Sequence, residues 1–322
     1  MRTYVLRRLF QIVPLLLAIS ALTFVALHFA NSDPTWIYAE NPQISAAQLG
    51  RIRHELGIDR PVLVQYLLYL RGIALHFDFG RSYTYHEPVA RVLLGRLANT
   101  LLLTVAAALV TWGLAIPLGV LAAVRQHRAA DRILSLLAFA SLSVPEVLSG
   151  LVLLWLAARS HLLPVGGMQS VDADLMSPAG RALDVARHLV LPAIVVGLVP
   201  LASRMRQMRA SLLEVLHLDF VTTARAKGLP ERTVIARHAL PNALNPMITL
   251  FGLTLGSLVS GSFVAEVVFS WPGLGAVTLE AIQRQDQPLV LGAVMMAATV
   301  LVLGNLVADL LLAAADPRIA RD

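Results

Sequence analysis

The chain has 322 residues, of which 57% are hydrophobic and only 14% are Asp, Glu, Lys or Arg, against roughly 45–50% apolar and about 25% charged in an ordinary soluble domain, so a soluble enzyme is a poor first reading. It has no cysteine, which removes disulfides, thiolate metal sites and thiol nucleophiles, and no two histidines lie three or four apart, which removes a helical His-x-x-x-His metal face. Its one lysine, Lys227, stands between Ala226 and Gly228, whereas a Walker A loop needs glycine before the lysine and Ser or Thr after it; the chain does not hydrolyse ATP by a P-loop mechanism.

Spanning a bilayer takes about 20 apolar residues, and uncharged windows set the expected elements. Leu9–Ser32 follows Arg2, Arg7 and Arg8. It exceeds the 7–15 residues or so of a signal-peptide apolar region, contains Pro14 and lacks a clear small-x-small cleavage site, so it reads as an uncleaved first span within residues 1–32. Residues 33–97 read as an external loop with two amphipathic helical patterns: Ile44, Leu49, Ile52 and Leu56, then Val62, Leu63, Tyr66, Leu67, Leu70 and Ile73. Those apolar faces need a partner, either the membrane surface and bundle mouth or an external substrate-delivery protein. Residues 98–322 read as a core of five further spans. Leu97–Val124 is the first, and Ile133–Ala158 is the second if Glu146 is accepted inside it. His188–Ser203 is the weakest, with 16 residues and both Pro192 and Pro200; His238–Ala265 and Gln287–Ala308 complete the set.

Cytoplasmic loops near spans carry excess Lys and Arg. With six spans and an internal N-terminus, the inside segments hold 15 bases and 7 acids, while the outside segments hold 11 bases and 12 acids. The net charge of +6 is therefore an orientation signal that puts both termini in the cytoplasm, and nucleic-acid binding is not needed to explain it. Seven of the inside bases fall in one loop, residues 204–245.

In that loop, a run rich in Ala and long basic side chains, Thr223 to Lys227, ends at Gly228, a natural helix-terminating residue. Pro230 and Glu231 then open a second helix, which Pro241 is expected to end. On physical grounds alone, a basic helical hairpin between spans is a solvated loop or a lipid-headgroup contact.

The residue order resembles the EAA motif of ABC-importer permeases, Glu-Ala-Ala, three residues, Gly, nine residues, Ile-x-Leu-Pro. With Gly228 as the glycine, Thr222, Thr223 and Ala224 take the first three places, nine residues run from Leu229 to Arg237, and His238-Ala239-Leu240-Pro241 closes the motif. The departures at Thr222, Thr223 and His238 are those of the dipeptide, oligopeptide and nickel branch, to whose B-type permease subunits the chain is similar through Thr223–Leu229, Arg237–Leu240 and Asn242-Ala243. Further matches are Leu6-Arg7-Arg8-Leu9 with Pro14, Asp33-Pro34, Leu56–Pro61, Gln65-Tyr66, Asp78–Ser82, Phe269–Gly275 and Asp316-Pro317-Arg318, so the likeness covers nearly the whole chain.

The resemblance implies an all-α, six-span type I importer permease that is not itself an enzyme and holds no cofactor or metal. It implies a second homologous permease, two cytoplasmic ATPases that bind ATP and Mg, an extracytoplasmic binding protein and a lipid membrane as partners, with no nucleic acid. It also makes the segment Thr222, Thr223, Ala224, Arg225, Ala226, Lys227 and Gly228, with His238, Leu240 and Pro241, the coupling element. On this reading Ala224 and Ala226 approach an ATPase groove closely, while Arg225 and Lys227 pair with its acids. The expected cargo is a di- or oligopeptide, with nickel or another metal chelate as the alternative. A secondary transporter or channel is the competing class; it would usually show internal repeats or paired intramembrane charges.

A polar cargo needs polar groups inside apolar spans, and an ionisable residue there is a functional candidate by default. Glu146 beside Pro145, with Ser141, Ser143 and Ser149, forms one such patch; the alternative places Glu146 near the external end of its span or against a partner subunit. Ser257, Ser260 and Ser262 with Gly261 form a second polar face, equally suited to helix packing. Glu266 and the Trp271-Pro272-Gly273 turn are expected at the external mouth, as a gate, and Asn305 and Asp309 near the inner end of the last span.

Overall fold

The computed structural model describes residues 2–30, 45–55 and 59–315, and at 2–9, 252–261, 307–315 and a few single positions the backbone alone. Among the described residues the elements are helical, apart from an isolated bridge between Arg81 and Pro88. In chain order they are α1 (Arg2–Phe29), α2 (Ala46–Glu55), α3 (Val62–His76), α4 (Val89–Val124), α5 (Ala129–Ser143), α6 (Glu146–Ser160), α7 (Pro178–Leu216) and α8 (Asp219–Ala226). There follow α9 (Glu231–Thr233), a π-helical turn over Val234–Ala239, α10 (Leu240–Ala243), α11 (Asn245–Val268), α12 (Leu274–Gln283) and α13 (Gln287–Ala315). Helices α1, α4, α7 and α13 are each long and apolar enough to cross a membrane.

The described chain forms two compact units, Met1–Asn99 with Gly273–Val300 and Thr100–Pro272 with Leu301–Asp322. In the first unit, Val89 and Leu93 of α4 pack with Leu274, Val277 and Ala281 of α12 and Leu289, Val290 and Ala293 of α13. The loop before α4 is tied to this core by one buried carboxylate. Asp286, fully buried, accepts from Ser82 Oγ at 2.5 Å, from the Thr84 amide at 2.9 Å and from the Leu289 amide in the first turn of α13. Tyr85 donates to Glu280 Oε2 at 2.6 Å, and burial together with that carboxylate raises its pKa. The Asp78–Ser82 motif thus has a structural job, as a lashing between the loop and the corner before α13.

In the second unit, α7 is the central helix, flanked by α4, α5, α6 and α11 through three apolar clusters. Small residues let α4 and α7 approach closely, the packing device of membrane helices. A Cβ on Gly119 would sit 2.7 Å from the Met205 carbonyl oxygen and 2.7 Å from Met208 Cβ, and Thr111 Oγ1 donates to the Gly197 carbonyl oxygen at 3.1 Å. At one end, Arg209 of α7 makes a two-pronged contact with Asp131 of α5, at 2.7 and 2.9 Å.

Three expectations change here. The window Ile133–Ala158 is not one helix: α5 and α6 meet at 108°, because Val144 takes an extended conformation before Pro145, as the proline ring demands of its predecessor. The short window His188–Ser203 lies inside a continuous 39-residue helix, about 58 Å long at 1.5 Å per residue. Ser177 starts that helix by accepting from the Gly180 amide, with Pro178 in the first turn. Pro241 does not end the helical run that begins at Glu231. The π-turn just before it changes the hydrogen-bond register, which accommodates a residue with no N–H to give.

Candidate functional site

α8 is a short helix with two unlike faces. Val221 and Ala224, three apart and so on one side, are buried against Met208, Leu212, Val215, Val234 and Ala239. The opposite side leaves Thr222, Thr223 and Ala226 exposed, and Phe220, four before Ala224, stands at the edge of the buried face and is 41% exposed, flanked by Leu218 and Leu229. Lys227 caps the helix, and Gly228 follows at φ +76° with open space where a Cβ would point. That left-handed conformation is what makes glycine the fitting residue there, since a side chain costs about 1–2 kcal/mol in it. Arg225 holds Glu231 at 3.2 and 2.8 Å, closing the hairpin between α8 and α9. The guanidinium keeps the Glu231 carboxyl below its ordinary pKa, and the carboxylate raises that of Arg225.

Two sequence assignments are therefore corrected. Ala224 faces the chain's own core, because the helical period pairs it with Val221. Arg225 is engaged within the hairpin. The outward groups are Thr222, Thr223, Ala226 and Lys227, with Phe220 at the edge between the two faces; no motif position marks Phe220, and only the packing shows how much of its ring stays open. Of the remaining motif residues, His238 and Leu240 are half-buried and Pro241 is exposed, and Asn242 Nδ2 donates to the His238 carbonyl oxygen at 2.8 Å.

The intramembrane polar residues separate into three groups. Glu146 is the first residue of α6, at the bend, and its Oε1 is buried with no hydrogen-bond partner among the described residues. Ser143 donates to its own Phe139 carbonyl oxygen, as Ser141 does to Ala138. Ser141 and Ser149 also line an apolar cavity of about 430 Å³ between α4, α5, α6 and α7. Glu266 is fully buried and accepts from Thr100 Oγ1 at 2.7 Å and Ser262 Oγ at 3.1 Å. Trp271 and Phe269 are buried in the cluster with Leu103 and Leu191, so neither they nor Glu266 forms an open mouth; aromatic rings of that size gain most by full burial. Ser257, Ser260 and Asp309 lie on α11 and α13, but their side chains are outside the described residues, as are Asp33-Pro34 and Asp316-Pro317-Arg318; Asn305 is exposed. Among the described residues, no group of three His, Asp or Glu could hold a metal ion.

Residues 115–321 match the family described as the binding-protein-dependent transport system inner membrane component, and residues 1–104 match its N-terminal family. The chain belongs to this family. As a binding-protein-dependent permease it is a multi-pass inner-membrane transport component and not an enzyme, which sets aside the secondary transporter or channel. Such permeases work with a binding protein, ATPase subunits and a permease partner. The chain is 38% identical over 336 residues to the dipeptide transport system permease protein DppB of Escherichia coli K12, covering 99% of each. It is 36% identical to the oligopeptide transport system permease protein AppB of Bacillus subtilis and 34% identical to the glutathione transport system permease protein GsiC of Salmonella choleraesuis, with 99% of each chain covered in both cases. Its fold is similar to a chain of the inward-facing MetNI methionine ABC transporter, with a TM-score of 0.50 at 17% identity, covering 69% of this chain and 97% of that one.

Proposed function

We propose that this permease imports short peptides, forming half of the membrane path beside a second homologous permease. Two ATPase subunits, which bind ATP and Mg, drive it, and an extracytoplasmic binding protein supplies it. The peptide cargo is supported by relatives of full length named for dipeptide, oligopeptide and glutathione transport.

The coupling element of this proposal is α8, and the observation that carries it is the division of its surface. Its inner face is anchored to α7 and the π-turn, so a push on α8 moves α7 rather than bending the loop. Its outer face offers Thr222, Thr223 and Ala226 as a shallow apolar and hydroxyl surface, with Phe220 and Lys227 at the rim. Movement of an ATPase dimer then passes into α7 and α11 as a change between two discrete packings. Along the path, Glu146 is the assigned polar contact for a peptide amine or amide, because its buried oxygen has no partner among the described residues and such a group is costly to leave so.

The test is ATP-dependent uptake of labelled dipeptides by the transporter reconstituted in proteoliposomes with its ATPases and binding protein. Thr222→Arg is expected to abolish both uptake and the binding-protein stimulation of ATP hydrolysis while the protein inserts normally. Full uptake by that variant overturns the role of α8, and uptake that proceeds without the ATPases overturns the whole reading.

A further inference from the structure

Helix α3 belongs to the loop read from the sequence as external, yet its contacts are with the middle of the first apolar helix. Tyr66 Oη lies 2.8 Å from Ser20 Oγ and donates to the Leu17 carbonyl oxygen at 3.2 Å. The Tyr66 ring sits 5.3 Å from the Phe24 ring, and Tyr69 6.5 Å from it. The apolar window of α1 that crosses the membrane is Ile12–Phe29, so Ser20 is close to its centre, about 12 Å from one end at 1.5 Å per residue. A helix seated at Ser20 and Phe24 lies below the headgroups.

The composition of α3 agrees with that depth. It contains no Asp, Glu or Lys and a single Arg, and none of its residues is buried. Leu63, Leu67 and Leu75 are 69%, 55% and 64% exposed, and Val64 and Leu68 are exposed beside them. In water that face would carry a cost in proportion to its apolar area, whereas against acyl chains it carries none. Arg71 is exposed and more than one turn beyond Tyr66, where its long stem can carry the guanidinium towards the headgroups. Ser20 gains from the arrangement too: it is fully buried by these contacts although α1 is otherwise nearly bare, and its hydroxyl finds both a tyrosine and a backbone partner inside the hydrocarbon, where an unpaired hydroxyl is expensive.

We propose that α3 is embedded in the bilayer against α1, with acyl chains covering its Leu63, Leu67 and Leu75 face, so that the N-terminal loop re-enters the membrane. The proposal rests on the assignment of α1 as a spanning helix and is independent of the cargo.

The cysteine-free sequence makes the test direct. Single-cysteine variants Leu63→Cys and Leu67→Cys, with Leu22→Cys on α1 as the lipid reference and Glu87→Cys as the water reference, are made in the full chain. Each is assayed in membrane vesicles for reaction with an impermeant maleimide. Each is then labelled with a fluorophore and measured for quenching by brominated phospholipid. Expected are maleimide rates at positions 63 and 67 at least tenfold below that at 87, and quenching equal to that at 22. Rates equal to position 87 overturn the proposal. So does protection from maleimide without lipid quenching, which would mean that a protein and not lipid covers α3. Tyr66→Phe, which removes only the hydroxyl held by Ser20 and Leu17, is expected to raise the maleimide rate at position 67 severalfold while the rate at 22 stays put; an unchanged rate at 67 would show that the polar contact does not seat the helix.

Discussion

Glu146 and Glu266 are chemically the same residue in the same kind of helix, and their surroundings assign them opposite jobs. Glu266 has hydroxyl donors from Thr100 and Ser262 within 3.1 Å, so it joins α4 to α11. Glu266→Ala removes the acceptor from both and is expected to lower stability by about 1–3 kcal/mol, seen as a fall in the thermal midpoint of the detergent-solubilised protein. Glu266→Gln keeps an acceptor and is expected to lose less. Glu146 has an oxygen with no partner among the described residues and stands in the first turn of α6, at the bend. Glu146→Gln is expected to leave stability unchanged and to cut peptide uptake about tenfold or more, the effect of losing a charge-assisted contact worth about 1.5–3 kcal/mol. Unchanged uptake at equal membrane abundance would remove Glu146 from the path.

On the scale of the element, α8 allows its packing and its proposed docking to be measured apart. Ala224→Leu overfills the cluster of Met208, Leu212 and Val234 and is expected to destabilise by about 1–3 kcal/mol, whereas Thr222→Arg on the exposed side is expected to leave the thermal midpoint in place and abolish coupled ATP hydrolysis. The Arg225–Glu231 pair closing the hairpin is half-exposed, so its contribution is under about 1 kcal/mol. Because the folded pKa of Glu231 is depressed, that contribution is complete above the unfolded value of about 4.3 and is lost as pH falls through the folded value. The stability gap between wild type and Glu231→Gln is therefore expected to close on acidification, and a gap that widens would contradict the pairing. The C-terminal end of this element and the start of α9 were legible in the sequence, since Gly228 and Pro230 carry their conformations with them, whereas its start at Asp219, one turn before Thr223, carried no capping side chain to mark it. Which face was buried was not read, because Ala224 is apolar enough for either side and only the packing of α7 selects one. The break at Pro145 and the π-turn before Pro241 escaped for a related reason: a proline inside an apolar run signals a disturbance, while the choice among kink, break and register shift depends on what packs around it. Ser82 and Asp286, 204 residues apart in sequence, leave no local signal of their pairing.

For the whole molecule, the 108° break between α5 and α6 raises a question that no single residue answers, whether the pair crosses the bilayer as one broken span or dips in and returns. The two answers put everything after residue 160 on opposite sides. If the pair crosses, and the last three apolar helices cross in turn, the basic loop 204–245 shares the cytoplasm with Arg125, Arg128 and Arg132, and the inside holds 15 bases against 11 outside. If the pair returns, that loop and the C-terminus move outside and the segments 159–187 and 266–286 move in, leaving 10 bases inside and 16 outside. The second distribution reverses the bias that sets membrane orientation, and it would put α8 beyond the reach of a cytoplasmic ATPase. The broken span is the expected topology. It is checked in spheroplasts with single cysteines at Val171, which is fully exposed, and at Arg232, which is exposed beside α8. Val171→Cys should react at once with an impermeant maleimide and Arg232→Cys only after the membrane is permeabilised; the opposite pattern would establish a re-entrant pair and with it end the role proposed for α8.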